Sequence, residues 1–125
     1  EKIKLTATKI AESAGARAEV TIDKKMPVTF NNEKLTHQMV SSLKRAAGEN
    51  NVTEIPPDTG SEDFAYYLEK VPGMFFFVGA CPPEMDPAKA PSHHTPDFMM
   101  DERSMLTGLK AMLQITVDYM YAPKK

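Results

Sequence analysis

Apolar positions recur along this chain with two periods. Ile3, Ile10 and Ala14 share one helical face, with Ala7 and Ala11 beside it, which predicts an amphipathic helix over residues 1–14. Gly15 follows as a C-cap. The period then drops to two. Ala18, Val20 and Ile22 alternate with Arg17, Glu19 and Thr21, the pattern of a half-buried strand over 16–24. Pro27 breaks it, and Asn31 or Asn32 is placed to cap the next helix, with Phe30 stapling onto Leu35. Leu35, Met39, Leu43 and Ala46 or Ala47 form the apolar stripe of a helix over 33–47, which Gly48 ends. Residues 49–60 read as a loop with a short strand at 51–54, closed by Asp58-Thr59-Gly60 turn chemistry.

Ser61 is placed to cap a helix over 62–70, with Glu62 and Asp63 in its first turn, where carboxylates complement the helix dipole. Pro72-Gly73 turns the chain. Residues 74–79 are apolar without alternation, which predicts a strand covered on both faces, as in the middle of an α/β sheet. Residues 80–96 carry five of the ten prolines and form a long ordered loop, a kind of segment that is often functional. The last helix starts at Asp101 or Glu102 and runs to Met120, with Met105, Leu109, Met112 or Leu113, Thr116 and Met120 facing inward. Together these elements predict an α/β fold, with helices laid on an antiparallel or mixed sheet.

A chain of 125 residues suits one domain or a piece of a larger one. The net charge is -2 and no basic patch stands out, so no nucleic-acid partner is expected. No apolar run approaches the roughly 18 residues of a membrane span, so no membrane partner is expected either. Cys81 is the lone cysteine, which excludes an internal disulfide framework and favours a reducing, cytoplasmic compartment. The chain starts at Glu1 without a Met and is expected to have been processed or cut from something longer.

Candidate chemistry concentrates at His93-His94 and near Glu62-Asp63. Adjacent residues on an extended segment point opposite ways. One imidazole on a metal and one toward substrate is therefore the natural arrangement, and imidazole suits zinc, manganese, cobalt or nickel. A metal site needs three or more protein ligands, and this chain has no HExxH motif and no second histidine cluster. It also lacks a GxSxG nucleophile elbow and a P-loop. His37 lies off the apolar stripe of its helix and reads as a surface residue. Cys81 reads as a structural or incidental thiol.

Gly60-Ser61-Glu62-Asp63-Phe64 with Tyr66-Tyr67, the segment Phe75-Phe76-Phe77-Val78-Gly79, and His94-Thr95-Pro96-Asp97-Phe98 before Asp101-Glu102 resemble the C-terminal part of the M20 metallopeptidase/amidohydrolase family. The most similar group is that of hippurate hydrolase, N-acyl-amino-acid amidohydrolases and auxin-conjugate hydrolases. Pro27-Val28-Thr29-Phe30-Asn31-Asn32 fits the segment where such chains return to the catalytic domain. The resemblance implies the last helix and strand of a ferredoxin-like lid or dimerisation domain over 1–25, and the C-terminal part of a zinc-peptidase-like catalytic domain over 26–125. It implies His94 as the last metal ligand, Glu62, Asp63 and His93 on the substrate side or supporting the site, and a general-base glutamate in an absent N-terminal half. It further implies two divalent ions in the full-length enzyme, a homodimer or other homo-oligomer, and hydrolysis of the amide bond of a small N-acyl amino acid or peptide-like conjugate. This chain alone is expected to be inactive, since a lone His94 cannot hold a metal tightly. The competing expectation is a non-catalytic small α/β module for interaction or self-association.

Overall fold

The computed structural model describes residues 1–123. Four α-helices follow in order: α1 (Lys2–Ser13), α2 (Glu33–Ala47), α3 (Ala65–Leu68) and α4 (Arg103–Tyr121), with a 3₁₀ turn at Glu49–Asn51 after α2. Among the described residues there is no β-strand. The expected α/β fold with a mixed sheet is therefore not what this chain forms, and the strands expected over 16–24, 51–54 and 74–79 are irregular or extended segments instead.

The physical reason lies in pairing. A strand is stabilised by the ladder it shares with a neighbour. Along 74–79 the main-chain partners are single points rather than a ladder. Asn32 N donates to Gly73 O at 2.9 Å, the Asn31 side chain holds Phe75, and Asp101 N donates to Ala80 O at 2.8 Å. The apolar run is half-buried through Phe76, but Phe77 and Val78 are exposed.

Helix boundaries follow the local chemistry. α1 ends in a Schellman arrangement: Ala16 N donates to Ala11 O and Gly15 N to Glu12 O, with Gly15 in the left-handed region at φ 69°. Asn32 caps α2, its Oδ1 accepting from Leu35 N at 3.0 Å. Glu33 in the first turn and Lys44 and Arg45 in the last complement the dipole of α2. The helix expected over 62–70 shortens to Ala65–Leu68, preceded by a turn through Asp63 and Phe64.

The body is α2 packed on α4. Met39, Ser42 and Leu43 of α2 and Ala111 of α4 are buried there. The stripe of α4 turned inward is Ser104, Thr107, Gly108, Ala111, Gln114, Ile115 and Asp118, all buried or half-buried. It repeats every three or four residues, as helix packing requires, but it is small and polar. Met105, Leu109, Met112, Leu113 and Met120, the residues expected to face inward, are 55–67% exposed. A polar network closes the interface, in which the Arg45 guanidinium pairs with Asp118 and donates to Ser42 Oγ, while Gln114 Nε2 donates to both Asp118 oxygens at 3.0–3.1 Å.

α1 has no buried residue and packs on no other helix. A folded chain of this mass exposes about 6,700 Å², whereas this one exposes 10,891 Å². The excess reflects how much of the chain, α1 above all, lies off the α2–α4 body.

Candidate functional site

Glu62 and Asp63 sit in the turn that leads into α3. Phe64 N donates to Glu62 Oε1 at a long 3.4 Å, and Tyr66 N donates to Asp63 O at 3.1 Å. Glu62 is half-buried and Asp63 exposed. The turn is seated by Phe64, whose ring lies 5.9 Å from Tyr67 and 5.9 Å from Phe75. Phe75 in turn meets Phe77 edge-on at 5.2 Å. Such tilted and edge-on pairs are the favoured aromatic geometries, so one aromatic row links the Glu62-Asp63 turn to the extended segment 74–79.

That segment leads into the loop over 81–100, which carries both histidines. His93 and His94 are exposed, and their rings meet edge-on at 4.8 Å. His93 also meets the Phe98 ring edge-on at 6.5 Å. His94 is the non-glycine residue with a left-handed backbone among those described, at φ 69°, a conformation that carries strain and recurs at functional positions. Thr95 Oγ1 donates to Ser92 O at 2.7 Å and Phe98 N to Thr95 O at 3.2 Å, so two tight turns present the His94 imidazole to solvent.

Among the described residues, no group of three or more His, Cys, Asp or Glu side chains converges to hold a metal ion. His93 and His94 offer exposed imidazole nitrogens, too few donors to form a site by themselves, since a protein metal site needs three or more. His37 is exposed on α2 at 3.9 Å from Glu33, away from this loop in sequence and in role. Cys81 is half-buried, its Sγ directed at the Pro82 and Met85 carbonyls at 3.6 Å.

In the sequence Asp101 marks a helix start and, with Glu102, closes the stretch that carries the resemblance. Its Oδ1 accepts from Arg103 N at 2.9 Å, and both its oxygens accept from Arg103 Nε at 2.9 and 2.8 Å. The Arg103 side chain and main chain hold the Asp101 carboxyl below its usual range. An Asp just before a helical apolar pattern is the signal that points to such a cap.

The model of peptidase family M20/M25/M40 matches residues 2–118. A putative amidohydrolase of Bacillus subtilis is 38% identical over 110 residues, covering 88% of this chain and 27% of the relative. An IAA-amino acid hydrolase ILR1-like protein of Arabidopsis thaliana is 30% identical over 94 residues, 75% of this chain and 20% of the relative. An N-acetyldiaminopimelate deacetylase of Lacticaseibacillus casei is 34% identical over 83 residues, 66% of this chain and 20% of the relative. No solved structure matches the chain. The chain belongs to the M20 peptidase and amidohydrolase family, and it spans about a fifth to a quarter of the length of these curated relatives.

Proposed function

We propose that this chain is the part of a metal-dependent amidohydrolase that supplies His94 as one metal ligand and Glu62, Asp63 and His93 along the substrate side. The observation that carries the reading is the family match over residues 2–118, which takes in both the Gly60–Phe64 and the His94–Phe98 motifs. Residues 1–25 then end a lid or dimerisation domain, and residues 26–125 belong to the catalytic domain.

In this reading divalent ions (zinc, manganese, cobalt or nickel), when bound, would supply Lewis-acid polarisation of the amide carbonyl and a more acidic water. His94 would hold one of them through an imidazole nitrogen, from a left-handed backbone position in an exposed turn. His93, held between His94 and Phe98, faces the substrate. Glu62, partly shielded, and Asp63, exposed, line the same edge and orient the polar end of an N-acyl amino acid or peptide-like conjugate. The general base that takes the water proton comes from outside this chain. The relatives' names, an IAA-amino acid hydrolase and a deacetylase among them, support an amide bond in a small conjugate as the target. A cytoplasmic homo-oligomer belongs to the same reading, supported by the lone Cys81 and the unpartnered apolar area of α4.

The test uses the full-length protein. It is expected to hold about two divalent ions and to hydrolyse N-acyl amino acids, with His94→Ala lowering the rate more than about a hundredfold. The isolated 125-residue chain is expected to show no turnover. Turnover unaffected by His94→Ala, in a protein without bound metal, would falsify the reading and leave an interaction or self-association module.

A further inference from the structure

The loop over 81–100 is built from local bonds. Met85 N donates to Pro82 O at 3.0 Å, Lys89 N to Asp86 O at 2.9 Å and Phe98 N to Thr95 O at 3.2 Å. Among the described residues, none of the hydrogen bonds inside the loop spans more than four positions. The loop is tied at its mouth, where Asp101 N donates to Ala80 O at 2.8 Å.

A long loop pays an entropy cost for closure, so one main-chain bond holds its mouth only if both partners are fixed by something else. Ala80 ends the segment that Asn31 braces at Phe75. Asp101 is fixed by α4. Its carboxylate accepts from Arg103 N at 2.9 Å, and its carbonyl accepts from Ser104 N at 2.9 Å. The Arg103 guanidinium folds back on the same carboxylate at 2.6 Å, and Glu84 in the first turn of the loop adds to the attraction for Arg103. The Asp101 side chain is 17% exposed, well covered for a carboxylate.

We propose that Asp101 is a positioning residue for His94: by capping α4 it holds its own amide on Ala80 and so fixes where the histidine loop closes. The effect on metal geometry rests on the reading of His94 as a ligand. The effect on the loop does not.

The experiment compares full-length unaltered protein, Asp101→Ala and Asp101→Asn. The first readout is trypsin cleavage of metal-free protein at Lys89, the basic residue inside the loop, with Arg17 and Lys24 as internal references. Asp101→Ala is expected to speed cleavage at Lys89 about fivefold relative to those references. Asp101→Asn keeps an acceptor for Arg103 N and is expected to stay within about twofold. The second readout is the visible spectrum of Co²⁺-loaded protein, whose bands are expected to shift in Asp101→Ala and to return in Asp101→Asn. An unchanged Lys89 rate, an equal rise at all three sites, or a Co²⁺ spectrum untouched by Asp101→Ala overturns the proposal. If the unaltered protein takes up no Co²⁺, the metal reading of His94 fails instead, and the Lys89 rate alone decides the anchoring.

Discussion

The Asn31 carboxamide grips the main chain of Phe75 at two points: Oδ1 accepts from Phe75 N at 2.7 Å, and Nδ2 donates to Phe75 O at 2.8 Å. One side chain thus does what a neighbouring residue does in a β-ladder, and it does so across 44 positions of sequence. With Asn32 N on Gly73 O and the Tyr66 hydroxyl on Lys25 O, it fastens the segment entering α2 to the segment that leads to the histidine loop. Asn31→Ala is expected to lower stability by about 1–3 kcal/mol, since it leaves two partly buried main-chain groups unpaired. Asn31→Asp is expected to cost more, because it sets a charged oxygen against Phe75 O where Nδ2 now donates. Urea unfolding midpoints of the three proteins check both. An Asn31→Asp protein as stable as the unaltered one would remove the two-point grip.

His94 separates strain from function. Its left-handed backbone is tolerated by Gly and Asn and resisted by β-branched residues. His94→Gly and His94→Asn are expected to be at least as stable as the unaltered protein, to within about 1 kcal/mol, and His94→Val less stable by about 1–3 kcal/mol. All three are expected to abolish hydrolysis in the full-length enzyme. Thermal melts run beside activity assays test the pair of outcomes. A large stability loss in His94→Gly would show that the imidazole itself holds the loop.

The helices were legible in the sequence where local chemistry decides them. Asn32, Gly48 and Gly15 mark ends that form as their residue types demand, and the Gly60–Phe64 and His94–Phe98 motifs carried the family. What local chemistry does not decide was not legible. The run over 74–79 has the composition of a central strand, but a strand needs neighbours, and Asn31 together with single main-chain bonds takes their place. On α4 the apolar stripe outranks the small polar one by hydrophobicity, yet Ser42, Arg45, Gln114 and Asp118 satisfy one another across the α2 interface and turn the small face inward. Periodicity locates a stripe; it does not say which of two stripes has a partner.

The same network makes stability depend on acid. The Ser42 hydroxyl, then the Gln114 amide and the Arg45 guanidinium hold the Asp118 carboxyl below its usual 3.8. The native state therefore binds this proton less readily than the unfolded chain. The contribution is present above the usual value and is lost as pH falls from 3.8 through the lower folded value. Asp118→Asn is expected to flatten the pH dependence of unfolding in that window while leaving its shape near neutrality unchanged. Denaturation midpoints taken from neutral pH downward provide the check, and identical acid limbs for the two proteins would rule the effect out.

The two faces of α4 are expected to respond oppositely to substitution. Ala111 is 3% exposed and Leu109 57% exposed on the same helix. Ala111→Leu adds methylenes where α2 leaves no room and is expected to cost about 1–3 kcal/mol. Leu109→Lys and Leu113→Lys alter a face that has no partner among the described residues. In the isolated chain they are expected to change stability by less than about 0.5 kcal/mol. They should also weaken binding of a hydrophobic dye and lower self-association, since a large exposed apolar stripe drives both. In the full-length protein the same lysine substitutions are expected to be severe, because contiguous exposed apolar side chains on one helix face mark a surface that is covered. Urea unfolding and sedimentation of the variants in both contexts decide it: lysines tolerated equally in the full-length protein would mean that the outer face of α4 stays in water.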